Sequence, residues 1–129
     1  METLDIVWQR LVSPDGRTCD RCGETFEEVQ KAVATLTDVL RPLGIEPLLE
    51  TCEIDDPAFR ADPSLSNRIW VRGKPMEEWL EASVGKSRCC SVCGDAECRT
   101  VEVGGTTFEA IPERLLVRAA LIATADLLS

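Results

Sequence analysis

The sequence predicts an α/β domain: a mixed β-sheet with helices packed on it. Three observations predict it. A strand-like run at residues 4–12 and a second at 45–54 enclose a long amphipathic stretch, a βαβ order whose right-handed crossover makes the two strands parallel. Within that stretch Phe26, Val29, Val33, Leu36, Leu40 and Leu43 recur at steps of three and four, one face of a helix. Late in the chain, Val101-Glu102-Val103, Gly104-Gly105 and residues 106–110 carry the signature of a β-hairpin. The hairpin adds antiparallel strands, so the sheet is expected to be mixed.

The elements follow in order. Leu4 to Val12 is rich in β formers and reads as a buried strand, closed by the turn Ser13-Pro14-Asp15-Gly16. Cys19-Asp20-Arg21-Cys22-Gly23 comes next. Thr25 and Glu28 fit a capping box, which predicts that the helix over residues 25–41 starts after Cys22. Pro42 and Gly44 end it. Residues 45–54 form the second strand, 57–66 a short helix or loop, and 67–72 a third strand stopped by Gly73-Lys74-Pro75. Residues 76–82 are a short helical segment, and 85–99 a Cys-rich loop ahead of the hairpin. A final helix runs from Pro112 to Leu128 with Pro at its first position. The order is β-α-β, then β-α-loop-β-β-α, in a chain of 129 residues that makes one domain.

Composition removes several kinds of function. Lys and Arg number 14 against 23 Asp and Glu, a formal net charge of −9. Nucleic acid is bound by cations that neutralise phosphates, so this balance argues against a nucleic-acid or anionic-membrane partner. There is no His, which excludes Ser-His-Asp and Cys-His nucleophile designs and every His-containing zinc site. No secretory signal and no apolar run long enough to span a bilayer are visible, so the expected compartment is the cytoplasm. There, clustered cysteines serve metal binding or redox chemistry rather than a static disulfide framework. The chain has seven cysteines, an odd number that forbids complete pairing within one chain.

Two segments share Cys-x-x-Cys-Gly followed by an acid: Cys19-Asp20-Arg21-Cys22-Gly23-Glu24 and Cys90-Ser91-Val92-Cys93-Gly94-Asp95. Two readings compete. In the redox reading, a dithiol between a strand and a helix places its first sulfur near helix N-terminal amides, which stabilise the thiolate. Cys19 is then the attacking thiol, the more exposed and more acidic of the pair, with Arg17 and Arg21 beside it, and Cys22 resolves the mixed disulfide. The late start that the capping box predicts for the helix, after Cys22, cuts against this placement. In the metal reading, Cys-x-x-Cys-Gly is a knuckle of tetrahedral thiolate sites, and two knuckles make a four-thiolate zinc centre if they meet in space.

Cys89 and Cys98 extend the second cluster to four thiols within residues 89–98. Adjacent Cys89 and Cys90 diverge and do not serve one tetrahedral ion together, so Cys90, Cys93 and Cys98 are the best metal-ligand set. Their thiolates suit zinc, Cu(I) or another soft thiophilic metal or metalloid. The spacing matches neither common ferredoxin pattern. The cluster is alternatively a disulfide, such as Cys93–Cys98, that exchanges with Cys19 and Cys22. Cys52, in a strand, reads as a small hydrophobe. Glu24, Glu27 and Glu28 read as acids favoured by a helix macrodipole. Trp70 and Trp79 read as packing residues. Leu115, Leu116, Leu121, Ile122, Leu127 and Leu128 read as core, broad enough to leave room for a homodimer face on the last helix.

The motifs Thr18-Cys19-x-x-Cys22-Gly23-Glu24-Thr25, Leu43-Gly44-Ile45-Glu46, Ser66-Asn67-Arg68-Ile69, Gly73-Lys74-Pro75 with Glu78-Trp79-Leu80, Cys89-Cys90-x-x-Cys93-Gly94-Asp95-x-x-Cys98-Arg99-Thr100 and Ala110-Ile111-Pro112-Glu113 span nearly the whole chain. By them the chain resembles a prokaryotic family of small Cys-rich proteins carrying a domain of unknown function. The resemblance implies a thioredoxin-like fold and no established activity. Two features depart from working thioredoxins. Ser66-Asn67-Arg68 stands where a cis-Pro precedes the third strand, and Asp20-Arg21 stands where Gly-Pro separates the thiols. A thioredoxin-like fold requires residues 4–11 and 45–54 to be parallel neighbours in one sheet.

The leading expectation is thus a cytoplasmic thiol protein exchanging disulfides at Cys19 and Cys22 with a protein or small-molecule thiol or disulfide. The alternative is a non-enzymatic thiolate protein holding zinc or a soft heavy metal or metalloid. A third reading is an interaction module whose Cys-rich loop is only stapled.

Overall fold

Leu4, Ile6 and Trp8 alternate along strand β1 (Glu2–Leu11) and are fully buried. That alternation sets the centre of the fold, because one face of β1 must be covered by apolar groups. In the computed structural model, which describes residues 2–11, 20–54, 68–88, 97–108 and 110–128, the cover is supplied by two helices. Helix α1 (Asp20–Leu40) contributes Val29, Ala32, Leu36 and Leu40. The last helix, α3 (Glu113–Leu128), contributes Leu115, Leu116, Ala119, Ala120 and Ala123. All belong to one core with the β1 face.

A 3-10 turn (Arg41–Leu43) and Gly44, at φ +71°, return the chain to strand β2 (Ile45–Ile54). β2 pairs with β1 in parallel along its whole length, from Glu2 opposite Ile45 to Leu11 opposite Ile54. The parallel neighbours expected at 4–11 and 45–54 are therefore present. Strand β3 (Arg68–Val71) lies antiparallel on the other side of β1, with Ile69 opposite Trp8 and Val71 opposite Ile6. Arg72 and Gly73, at φ +53° and +77°, turn it into the two-residue strand β4 (Lys74–Pro75). The sheet order is β2-β1-β3-β4. Helix α2 (Met76–Leu80) follows, and the Trp79 Nε1–H donates to the Val71 carbonyl at 2.7 Å.

The late hairpin corrects one expectation. Strands β5 (Ser83–Arg88), β6 (Glu97–Val103) and β7 (Thr106–Phe108) form a second, antiparallel sheet rather than extending the first. Pro75 has no N–H to donate, and α2 follows directly, so the first ladder stops there. The Gly104-Gly105 turn is as expected, both residues at positive φ. The Cys-rich loop is shorter than 85–99: residues 85–88 and 97–99 are paired strand, with Arg88 opposite Glu97 and Ser87 opposite Cys98. The segment read as a short helix or loop at 57–66 lies outside the described residues.

Two apolar assignments also change. Leu43 falls in the 3-10 turn and is 49% exposed, so the helix stripe ends at Leu40. On α3 the alanines fill the core, while Leu121, Ile122 and Leu128 are exposed. Small side chains let α3 approach α1 closely, which the count of large apolar residues does not show.

Candidate functional site

The described part of helix α1 begins at Asp20, so residues 20–24 are already helical, where the capping-box spacing predicts a start after Cys22. Thr25 and Glu28 act on another helix. Thr25 is buried, and its Oγ1 accepts the Ile111 N–H at 3.0 Å. Glu28 Oε1 accepts the Glu113 N–H at 3.0 Å, satisfying a free amide at the start of α3. Thr35 donates to Glu113 Oε1 at 2.7 Å, and Lys31 Nζ pairs with Glu28 Oε2 at 2.8 Å. α1 thus caps α3 across the fold and fixes the two helices against one another.

These contacts set a stability prediction. Replacing Thr25 by Val keeps the volume but strands the buried Ile111 N–H, which should cost about 1–3 kcal/mol in urea unfolding, whereas Ser should retain most of the stability. The Lys31 ammonium, followed by the Glu113 amide, holds the Glu28 carboxyl below its ordinary value of 4.5. Its contribution is therefore full above that pH and fades as the pH falls through the lowered value.

At the end of the sheet where α1 starts, Arg10 is the next residue after Trp8 on the α1-facing side of β1. Its Nη2 pairs with Glu53 Oε1 at 3.1 Å, between residues that are register partners on β1 and β2. Its guanidinium carbon lies 5.6 Å from the centroid of Trp8 and 5.9 Å from that of Phe26. Those two rings are themselves stacked, 5.0 Å apart and 11° from parallel. Arg10 Nε is buried and has no hydrogen-bond partner among the described residues. Arg10 is not among the site residues that the sequence motifs single out. The signal was its parity, a cation continuing the buried alternation Leu4, Ile6, Trp8.

The candidate thiols distribute as follows. Cys22 lies in α1, and Cys98 in β6. Cys19, Cys89, Cys90 and Cys93 lie outside the described residues. Cys52 is a free, half-buried thiol opposite Gln9 in register, on the sheet face away from Trp8 and Arg10. Among the described residues no group of three or more potential ligands stands ready for a metal ion. A shallow hollow is lined by Glu24, Glu27, Glu28, Ala110, Ile111 and Pro112. Trp79 is half-buried and packs against the core, whereas Trp70 is half-buried outside it. No helix of the described residues is long and apolar enough to cross a membrane.

Residues 4–120 match the model of a family described as Domain of unknown function (DUF2703). An uncharacterised protein of the archaeon Archaeoglobus fulgidus is 46% identical over 113 residues, covering 88% of this chain and 82% of its own. No solved structure matches the chain. The family match over most of the chain and the near full-length relative agree, and the chain belongs to the DUF2703 family.

Proposed function

We propose that the chain is a thioredoxin-like thiol protein in which Cys19 and Cys22 carry dithiol–disulfide exchange. The observation that carries this reading is the position of α1. Its described residues run from Asp20, so Cys22 is already helical, and the helix follows a strand paired in parallel. The early helix start removes the objection that the capping box raised. A dithiol lying between a parallel strand and the helix that follows it is one that a helix macrodipole favours as thiolate over thiol. The strand order β2-β1-β3-β4, with β1 and β2 joined through α1, supports the thioredoxin-like description.

The exchange runs in two displacements. The Cys19 thiolate attacks one sulfur of a partner disulfide and expels the other as a thiolate. The Cys22 thiolate then attacks Cys19 Sγ and expels the second partner sulfur. Two electrons pass from the protein dithiol to the partner disulfide, and the two dithiol protons end on the two partner thiols. The fitting compartment is a reducing cytoplasm, where the dithiol is regenerated.

Reduced protein incubated with excess glutathione disulfide should lose the Cys19 and Cys22 thiols together and keep its circular dichroism spectrum. Both thiols remaining free at equilibrium would refute exchange at this pair.

A second reading is favoured by the hairpin. Pairing of Arg88 with Glu97 closes residues 89–96 at one end of the second sheet, and Cys98 sits one position inside that closure. Cys90, Cys93 and Cys98 therefore form a local set with little loop-closure entropy to overcome. In this reading they hold zinc or a softer thiophilic ion. Elemental analysis of anaerobically purified protein decides it: less than roughly a tenth of an equivalent of any such metal, even after incubation with zinc, removes it.

A further inference from the structure

The hydrogen-bond phase of β1 leaves one edge of the first sheet open. The Glu2 N–H donates to the Gly44 carbonyl at 3.1 Å, and bonding residues alternate along a parallel ladder. The even-numbered residues of β1 therefore bond the even-numbered residues of β2. Asp5, of the other phase, accepts the Arg72 N–H at 2.9 Å on the β3 side, as this alternation requires. The backbone groups of Ile45, Pro47, Leu49, Thr51 and Glu53 consequently point outward, away from β1. β2 is the outermost strand in the order β2-β1-β3-β4, and among the described residues no strand pairs with its outer edge.

Natural sheets blunt their edges with short strands, lysines or prolines. The opposite edge is blunted in this way, since β4 has two residues, Lys74 and Pro75. β2 has ten residues, with one proline and no lysine or arginine. Four outward N–H groups and five outward carbonyls are left to bond a further strand. The side chains beside the edge say what that strand carries. On the face away from the helices stand Glu46, Leu48 and Glu50, all exposed. Neither glutamate has an ion pair among the described residues. Asp5, in register with Leu48 on the same face, adds a third carboxylate. On the helix side a hollow lies between the end of α1 and the start of β2, lined by Thr37, Arg41, Ile45, Glu46 and Pro47. Arg41 disfavours a cation there, so the two faces of a docked strand have different requirements.

We propose that the outer edge of β2 docks an extended segment of a partner protein, paired antiparallel. Lys or Arg of that segment stands opposite Glu46 and Glu50, and an apolar residue opposite Leu48. In a strand these are positions i, i+2 and i+4, which share one face. Backbone bonds supply the affinity, and the side chains choose the partner. A second copy of this chain is the poorer occupant. Self-pairing of β2 would line one seam with three glutamates from each copy, in a chain of net charge −9. The proposal is independent of the exchange reading.

The test is amide hydrogen exchange of the full-length protein, read by NMR, with the synthetic peptide acetyl-Thr-Lys-Thr-Val-Thr-Lys-Thr-amide. Its lysines and valine are spaced to face Glu50, Leu48 and Glu46. In the free protein, exchange along β2 should alternate, fast at Leu49, Thr51 and Glu53 and slow at Leu48, Glu50 and Cys52. The peptide should slow the first set by roughly tenfold or more and leave the second unchanged. Combining Glu46→Lys with Glu50→Lys should weaken binding of this peptide by roughly tenfold and admit the peptide with Glu in place of both lysines. Methylating the backbone nitrogens of the two inner threonines keeps every charge and should abolish binding. Slow exchange of all six amides in the free protein overturns the proposal, because the edge is then already covered, and light scattering tells whether a second copy covers it. Binding that survives methylation overturns it too, since charge alone then holds the peptide. So does a lack of binding at about 1 mM peptide.

Discussion

Replacing Trp8 by Ala should destabilise the domain by about 3–5 kcal/mol, the range for removing a fully buried large aromatic. Three groups lose their partner at once. Phe26 loses its stacked ring, Arg10 loses one of two rings beneath it, and Ile69 loses its cross-strand neighbour. Against a typical total of about 5–15 kcal/mol, the loss takes a large share of the folding free energy. Trp70 makes the useful comparison. It is half-buried on the other face of the same sheet, with Arg68 stacked 4.9 Å from its centroid. Trp70→Ala should cost less than half as much. Urea unfolding of both variants checks the ranking, and equal losses would mean that the α1-facing side is not the main core.

Cys19→Ser should abolish disulfide exchange, while Cys22→Ser should arrest it halfway. With an aromatic disulfide such as 5,5′-dithiobis(2-nitrobenzoate), the Cys22→Ser protein should hold one thionitrobenzoate on Cys19 as a stable mixed disulfide. Wild type should release it as Cys22 attacks. The asymmetry follows from the proposed roles: Cys19 is the attacking thiol, and Cys22, within α1, resolves the mixed disulfide. If Cys19→Ser exchanges at the wild-type rate, the roles are wrong. If both single variants release the aromatic thiol completely, the two thiols do not act as a pair.

How legible these features are in the sequence depends on what specifies each. β1 and β2 are specified by their own β formers, and the βαβ order fixes their parallel pairing. β2 begins at Ile45, where the sequence places it, and is strand through Ile54, the last described residue of that segment. The start of α1 is not legible, because a capping box is a local spacing while the acceptors it contains are free to serve any amide. Here Thr25 and Glu28 serve residues 111 and 113, more than eighty positions away. β5 is equally hidden. Its sequence, Ser83-Val84-Gly85-Lys86-Ser87-Arg88, has one apolar side chain, and Val84 is itself exposed. The strand is specified by its partner: a Cβ at Gly85 would sit 2.9 Å from Thr100 Oγ1, so a side chain there would have to displace the Thr100 hydroxyl. The thiol motifs were plain in the sequence, since Cys-x-x-Cys-Gly is a spacing. Arg10 was not, because its role depends on a strand register and a helix crossing that only the folded chain supplies.

The central claim is that Cys19 and Cys22 form one redox couple at the junction of β1 and α1. The most direct measurement is tryptic mapping of protein equilibrated in glutathione buffers of graded potential. Cleavage after Arg21 separates the two cysteines, so a disulfide between them leaves peptides 18–21 and 22–31 joined. The account predicts that this joined species appears in a single two-electron transition and disappears on reduction. Joined peptides linking Cys19 or Cys22 to a cysteine of 89–98 instead, with no 18–21/22–31 species at any potential, would contradict it.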